Sequence, residues 1–238
     1  MIRFIIAILF VVVFLILSIP TWGVLFIIGL FDKKKKELIG FRIVQKAFFI
    51  IWKLCGVKPE IKGLENVPTD EPVLFIGNHQ SYLDIILTYS LCPNITGYLS
   101  KADFSKIPLL NIWMKKNYCL FLTRDNPRED LKIMIKAIDY VKAGISMFVF
   151  PEGTRSKNGE IAEFHEAPMR LSTKTGCKVV PVAINGGREI LENRIPFIKS
   201  GKVTITYLAP IDIKSLEGDD KKFPAAYCKK LLQEELSK

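Results

Sequence analysis

The chain is poor in the residues that build metal and redox sites. Its 238 residues include two histidines and five cysteines, the latter at 55, 92, 119, 177 and 228. No two cysteines have C-x-x-C spacing, which argues against a zinc ribbon or a thioredoxin-type site. A chain of this length can bury a core without a dense disulfide framework, so free thiols in a reducing compartment are expected. His165-Glu166 does not begin an H-E-x-x-H motif, because Met169 stands where the second histidine is required. A G-x-S-x-G nucleophile elbow, which a lipid-cleaving serine hydrolase would need, is also missing. There are no internal repeats and no low-complexity stretch beyond one lysine run. With 49% hydrophobic and 24% charged residues the chain is not disordered. Its length fits one domain with a small appendage.

The formal net charge is +10, and its placement is informative. Residues 1–62 carry ten Lys/Arg against three Asp/Glu, a balance of +7, whereas residues 63–238 carry twenty-four against twenty-one. The excess belongs to the N-terminal segment, and no nucleic-acid face is expected on the rest.

Residues 4–31 contain no charge. As one straight helix they would extend ~42 Å, against a hydrocarbon core of ~30 Å. Ser18, Pro20, Thr21 and Gly23 interrupt the run, and a proline there kinks or ends a helix. A secretory signal is disfavoured: the run exceeds the usual apolar region, has almost no preceding charged region, and ends in Asp32 and four lysines at 33–36. Residues 38–57 place Arg42, Lys46 and Lys53 on one face of an otherwise apolar helix, a pattern suited to a headgroup layer. The lysines at 33–36 would hold the turn between the helices near anionic lipid. The expectation is a helical hairpin over residues 1–57 that anchors the chain to one leaflet, at the cytoplasmic face of the inner membrane. The rival is a single span through residues 4–31 with the lysines on the cytoplasmic side.

Residues 58–238 read as a second unit. β-rich runs at 73–77, 97–100, 120–123, 147–150, 179–184 and 202–207 alternate with helical patterns at 82–91, 127–142, 167–175 and 221–236. This order predicts an α/β domain with a largely parallel sheet flanked by helices. In such sheets chemistry gathers where strands end, and two polar clusters occupy those places. The first is Asn78-His79-Gln80-Ser81-Tyr82-Leu83-Asp84. The second is Phe150-Pro151-Glu152-Gly153-Thr154-Arg155-Ser156.

In the first cluster Asp84 can bend back to one imidazole nitrogen of His79, fixing the tautomer and leaving the other nitrogen as a base. The same spacing also describes a helix cap with a first-turn carboxylate, and spacing alone leaves both readings open. In the second cluster Gly153 permits close backbone approach, Thr154 offers a hydroxyl and Arg155 a guanidinium fork, a set suited to phosphate. A glycine turn with a surface arginine is the plainer alternative. Glu152 would repel a phosphate unless a cation pairs with it. Arg124 and Lys101, each at a strand end, are further candidate cations.

These residues, in this order, resemble the glycerophospholipid acyltransferase family. The N-H-x-x-x-x-D motif is met at residues 78–84, F-P-E-G-T-R-S at 150–156, and a V-P-V-A-I strand at 180–184. A further motif, G-x-x-F-x-x-R, is met by Phe121 and Arg124, but Tyr118 replaces its glycine. The basic, glycine-containing stretch that often follows the third motif reads Phe164-His165-Glu166-Ala167-Pro168 here, and His165 is read as structural. The resemblance implies transfer of an acyl group from an acyl thioester, on coenzyme A or acyl carrier protein, to the sn-2 hydroxyl of lysophosphatidic acid, giving phosphatidic acid. His79 would be the base and Asp84 its orienting partner. Glu152, Gly153, Thr154, Arg155, Arg124 and Lys101 would form the phosphate site. No metal or bound cofactor is implied. The alternatives are glycerol 3-phosphate or another lysophospholipid as acceptor, and a non-catalytic lipid-binding protein.

Overall fold

In a computed structural model the protein is described over residues 1–123 and 125–238. The strands are β1 (Val57–Lys62), β2 (Leu74–Gly77), β3 (Thr96–Lys101), β4 (Leu120–Leu122), β5 (Ser146–Val149), β6 (Val179–Asn185) and β7 (Gly201–Tyr207). They form a sheet in the order β1-β7-β6-β2-β5-β3-β4. Among the described residues the strand pairings are parallel except β6 with β7. The helices are α1 (Ile2–Leu17), α2 (Ile19–Phe31), α3 (Lys33–Leu54), α4 (Tyr82–Leu91), α5 (Leu110–Lys116), α6 (Pro127–Lys142), α7 (Arg170–Thr175), α8 (Gly187–Ile190), α9 (Gly218–Lys222) and α10 (Pro224–Leu236). The expected α/β class with a largely parallel sheet and flanking helices is what forms.

The central strands are apolar on both faces because helices cover both, as parallel sheets require. Successive side chains alternate between two cores. Phe75, Phe148, Val180 and Val182 join one cluster with Phe41 and Trp52 of α3 and Leu87 of α4. Leu74, Ile76, Met147, Val149 and Val179 join the other with Val141 of α6 and Leu232 of α10. β1 was hidden in the sequence by Pro59, which has no N–H for a ladder; the strand tolerates it because β1 is an edge.

The N-terminal segment differs from expectation in one respect. α3 does not offer all of its apolar face to solvent: Phe41, Val44, Ala47, Ile51 and Trp52 are buried, and Gln45 Nε2 donates to the carbonyls of Tyr89 and Cys92 at 2.9 Å each. Its basic residues Arg42, Lys46 and Lys53 are exposed, as are the apolar Leu38, Phe49 and Ile50, at 45%, 47% and 41%. The buried stripe of this 22-residue helix packs on α4 and the core beside it. A larger exposed apolar surface lies on α1 and α2, where Ile2, Leu9, Leu17, Val24, Phe26 and Phe31 are each more than half exposed. Among the described residues no single helix is long and apolar enough to cross a membrane; α1 and α2 together meet that length but are bent by 47°.

Candidate active site

The parallel strands β2, β5, β3 and β4 are adjacent in the sheet, so their C-terminal ends share one edge. His79 follows β2, the 150–156 loop follows β5, and Lys101 ends β3. Arg124, which follows β4, lies outside the described residues.

Asn78 fixes how the chain leaves β2. Fully buried, it donates Nδ2 to the Ile184 carbonyl and accepts from the Ile184 N–H, both at 2.8 Å. Ser81 is the N-cap of α4, and its Oγ accepts from Leu83 N–H at 3.0 Å. Asp84 reaches back from the first turn. Its Oδ2 accepts from Gln80 N–H at 2.6 Å and Ser81 N–H at 2.7 Å, and lies 3.0 Å from His79 Nδ1. The two readings left open by spacing therefore coexist: one buried carboxylate oxygen caps the helix and meets the imidazole. Asp84 Oδ1 has no hydrogen-bond partner. It faces Gly187, where a Cβ would stand 3.0 Å from that oxygen. With Nδ1 held by Asp84, Nε2 is the ring nitrogen left to act as a base. The imidazole side chain is 13% exposed and stacks on Phe150 with centroids 4.2 Å apart.

The second loop is knitted to the first through the backbone. Ser156 N–H donates to the His79 carbonyl at 2.8 Å, and His79 N–H donates to Glu152 Oε1 at 2.6 Å. Glu152 Oε2 accepts from Ala162 N–H at 3.0 Å. Burial pushes the Glu152 carboxyl above its ordinary range, opposed by those two N–H donors. Both Glu152 oxygens face backbone donors, so the carboxylate holds the two segments together. Gly153 has φ +72°, the left-handed conformation that favours glycine. Thr154 is exposed beside it.

Arg155 is turned toward the start of α4. Its Nη1 lies 3.1 Å from Glu192 Oε1, and Nη2 donates to Tyr82 Oη at 3.2 Å. The guanidinium carbon stands 3.7 Å from the Tyr82 ring centroid. Glu192 Oε1 also accepts from Tyr82 N–H at 2.7 Å. A guanidinium has five N–H donors, so this clamp leaves donors for an anion. Lys101 stands apart from this knot: its Nζ pairs with Asp103 Oδ2 at 2.5 Å, and its side chain is 59% exposed. His165 is exposed, and its backbone N–H donates to the Pro151 carbonyl at 3.0 Å. Among the described residues no three His, Cys, Asp or Glu side chains converge on a metal position.

Sequence reasoning missed Tyr82 and Glu192. Tyr82 lies inside the first motif, but spacing gave it no role. Glu192 carried no signal, being 37 residues beyond Arg155 in a loop.

A model of the Acyltransferase family matches residues 58–185. The chain is 34% identical over 163 residues to the chloroplastic 1-acyl-sn-glycerol-3-phosphate acyltransferase BAT2 of Brassica napus, covering 68% of this chain and 46% of that protein. It is 34% identical over 174 residues to the chloroplastic LPAT1 of Arabidopsis thaliana, covering 71% and 48%. It therefore spans about half the length of these curated relatives. The 1-acyl-sn-glycerol-3-phosphate acyltransferase of Borreliella burgdorferi is 29% identical over 185 residues, covering 77% of this chain and 73% of that protein. In fold the chain is similar to the crystal structure of the 1-acyl-sn-glycerophosphate (LPA) acyltransferase PlsC from Thermotoga maritima, with TM-score 0.81, 24% identity, and coverage of 99% and 95%. The family model spans more than half of the chain and takes in both loops of the site, and the chain belongs to the acyltransferase family.

Proposed function

We propose that this protein is a membrane-anchored 1-acyl-sn-glycerol-3-phosphate acyltransferase. The observation that carries the proposal is His79 Nδ1 at 3.0 Å from the buried Asp84 Oδ2, next to a loop that presents Gly153, Thr154 and Arg155. The names of the relatives supply the acceptor, lysophosphatidic acid.

Nε2 of His79 takes the proton of the sn-2 hydroxyl as its oxygen attacks the thioester carbonyl. Asp84 holds the ring and stabilises the imidazolium that forms. The tetrahedral intermediate collapses, the C–S bond breaks, and the imidazolium returns the proton to the leaving thiolate. An ester and a free thiol result, and His79 is neutral again. Arg155 binds the acceptor phosphate with the N–H groups that Glu192 and Tyr82 leave unused, assisted by Thr154 and by the backbone at Gly153. The sequence motif adds Arg124. The acyl donor is a thioester of coenzyme A or of acyl carrier protein.

The exposed apolar side chains of α1 and α2 support the anchor. Arg3 lies at one end of this surface and the lysines at 33–36 at the other. The 47° bend between α1 and α2 and the return of the chain along the partly buried α3 favour helices lying in one leaflet, on the cytoplasmic side, over a single span. In this division residues 1–57 anchor the chain and residues 58–238 carry the chemistry.

The test is to incubate purified full-length protein with a labelled acyl thioester and a panel of acceptors. Labelled phosphatidic acid formed from lysophosphatidic acid is expected. Preferential labelling of glycerol 3-phosphate or of a phosphate-free acceptor would contradict the reading.

A further inference from the structure

We propose that the loop at residues 194–199 is a second membrane-contacting surface, which seats Ile195 and Phe197 in an anionic lipid leaflet beside the start of α1. The inference deepens the anchoring reading above and rests on it.

Ile195 is 49% and Phe197 59% exposed, although both belong to a built loop. Arg194 N–H donates to the Leu191 carbonyl at 2.9 Å, Phe197 N–H to the Arg194 carbonyl at 2.5 Å, and Lys199 N–H to the Ile190 carbonyl at 3.2 Å. Ile198 packs against the core cluster, so the loop is pinned while its two large apolar neighbours point away. Arg194 and Lys199 flank them, both exposed. Apolar tips between cations match a headgroup layer above acyl chains.

The loop is continuous with the apolar helices. Gly201 N–H donates to the Gly56 carbonyl at 3.3 Å. A Cβ at Gly56 would stand 2.8 Å from Ser200 Cβ and 2.9 Å from Arg3 Nη1. Arg3 opens the helix on which Ile2 and Ile5 are 73% and 53% exposed. Two side chains are far short of the roughly 800 Å² per partner that a stable protein interface buries, which makes lipid the fitting occupant. The helical turn Glu192–Arg194 leads into this loop, and Glu192 clamps Arg155 and the Tyr82 N–H. Seating the tip in lipid would therefore hold the phosphate-binding arginine at a fixed depth.

The experiment attaches an environment-sensitive fluorophore to full-length Phe197→Cys, Leu9→Cys and Lys230→Cys variants, with wild type treated alike as background. Vesicles of phosphatidylglycerol and phosphatidylcholine carry a quencher at the headgroup or along the acyl chain. Labels at 197 and 9 are expected to be quenched and the label at 230, on α10, to stay unquenched. Quenching at 9 without quenching at 197 would overturn the loop contact and leave the anchor standing. Quenching at neither site with protein bound to the vesicles would overturn both. A second arm uses Ile195→Ser with Phe197→Ser. Partition onto anionic vesicles should weaken by about tenfold, with turnover of a water-soluble short-chain lysophosphatidate unchanged. Equal losses in the two assays would show that the loop serves the fold alone and would overturn the proposal.

Discussion

Trp113 Nε1 donates to Ser18 Oγ at 2.8 Å, joining α5 to the residue at which α1 gives way to α2. Both residues are buried, and Ser18 Oγ also donates to the Leu15 carbonyl at 2.9 Å. Phe14 and Trp22 pack against the same indole in tilted arrangements, with centroids 5.9 and 6.3 Å away. The bend of the apolar pair is thereby fastened to the α/β unit. Ser18→Ala leaves a buried indole N–H without an acceptor, at a cost of about 1–3 kcal/mol. Adding Trp113→Phe removes the orphaned donor, so the double variant should lose less than the sum of the two singles. Thermal unfolding of the four proteins in detergent checks this.

His79→Ala removes the proposed base and should lower kcat by about 10²–10⁴-fold, with little change in thermal stability. Asp84→Asn should also be severe, through loss of ring orientation. It should destabilise the protein too, because the same oxygen caps Gln80 and Ser81. An active Asp84→Asn beside a dead His79→Ala would end the dyad idea while sparing the base.

Arg155→Ala should impair use of the phosphorylated acceptor by roughly 10- to 150-fold in kcat/KM, from about 1.5–3 kcal/mol per charge-assisted hydrogen bond. An acceptor lacking phosphate should be affected much less. Glu192→Ala should act in the same direction but more weakly, since Glu192 positions the guanidinium and does not bind substrate. Equal losses with both acceptors would make Arg155 part of the scaffold.

Glu152 gives a signed pH prediction. Burial raises its folded-state pKa, so the folded protein retains this proton at a pH where the unfolded chain has released it. Its contribution to stability is complete below the unfolded carboxylate value of about 4.3 and is lost as pH rises through the folded value. Glu152→Gln has one acceptor oxygen for two N–H donors and should cost about 1–3 kcal/mol. The wild-type advantage over the variant should shrink as pH rises through that window. Denaturant titrations of the two proteins at several pH values measure the difference.

Strands were legible wherever alternation or an unbroken apolar run was intact, and α4 and α6 were expected at the residues where they form. β1 was missed because Pro59 masks an edge strand, and the sequence pattern carried the preceding helix on to residue 57. The pattern also ran the last helix from residue 221, whereas Phe223 and Pro224 divide it into α9 and α10. Tyr118 was seen only as a departure from the glycine of its motif. Its φ of +60° shows why glycine suits that place, and its ring packs on Tyr140 at 4.9 Å. The knot of His79, Asp84 and Glu152 was partly legible because two of its members share one motif. The Arg155 clamp was not, since its partner Glu192 reaches the site only through the turn from β6 into the loop before β7.

The central claim, that His79 drives acyl transfer to an alcohol, is tested most directly by thiol release from an acyl thioester, measured with and without lysophosphatidic acid. Wild type should release one thiol per phosphatidic acid formed, and only with the acceptor present, while His79→Ala should release almost none. Thiol release without acceptor, or a His79→Ala rate close to wild type, would contradict it.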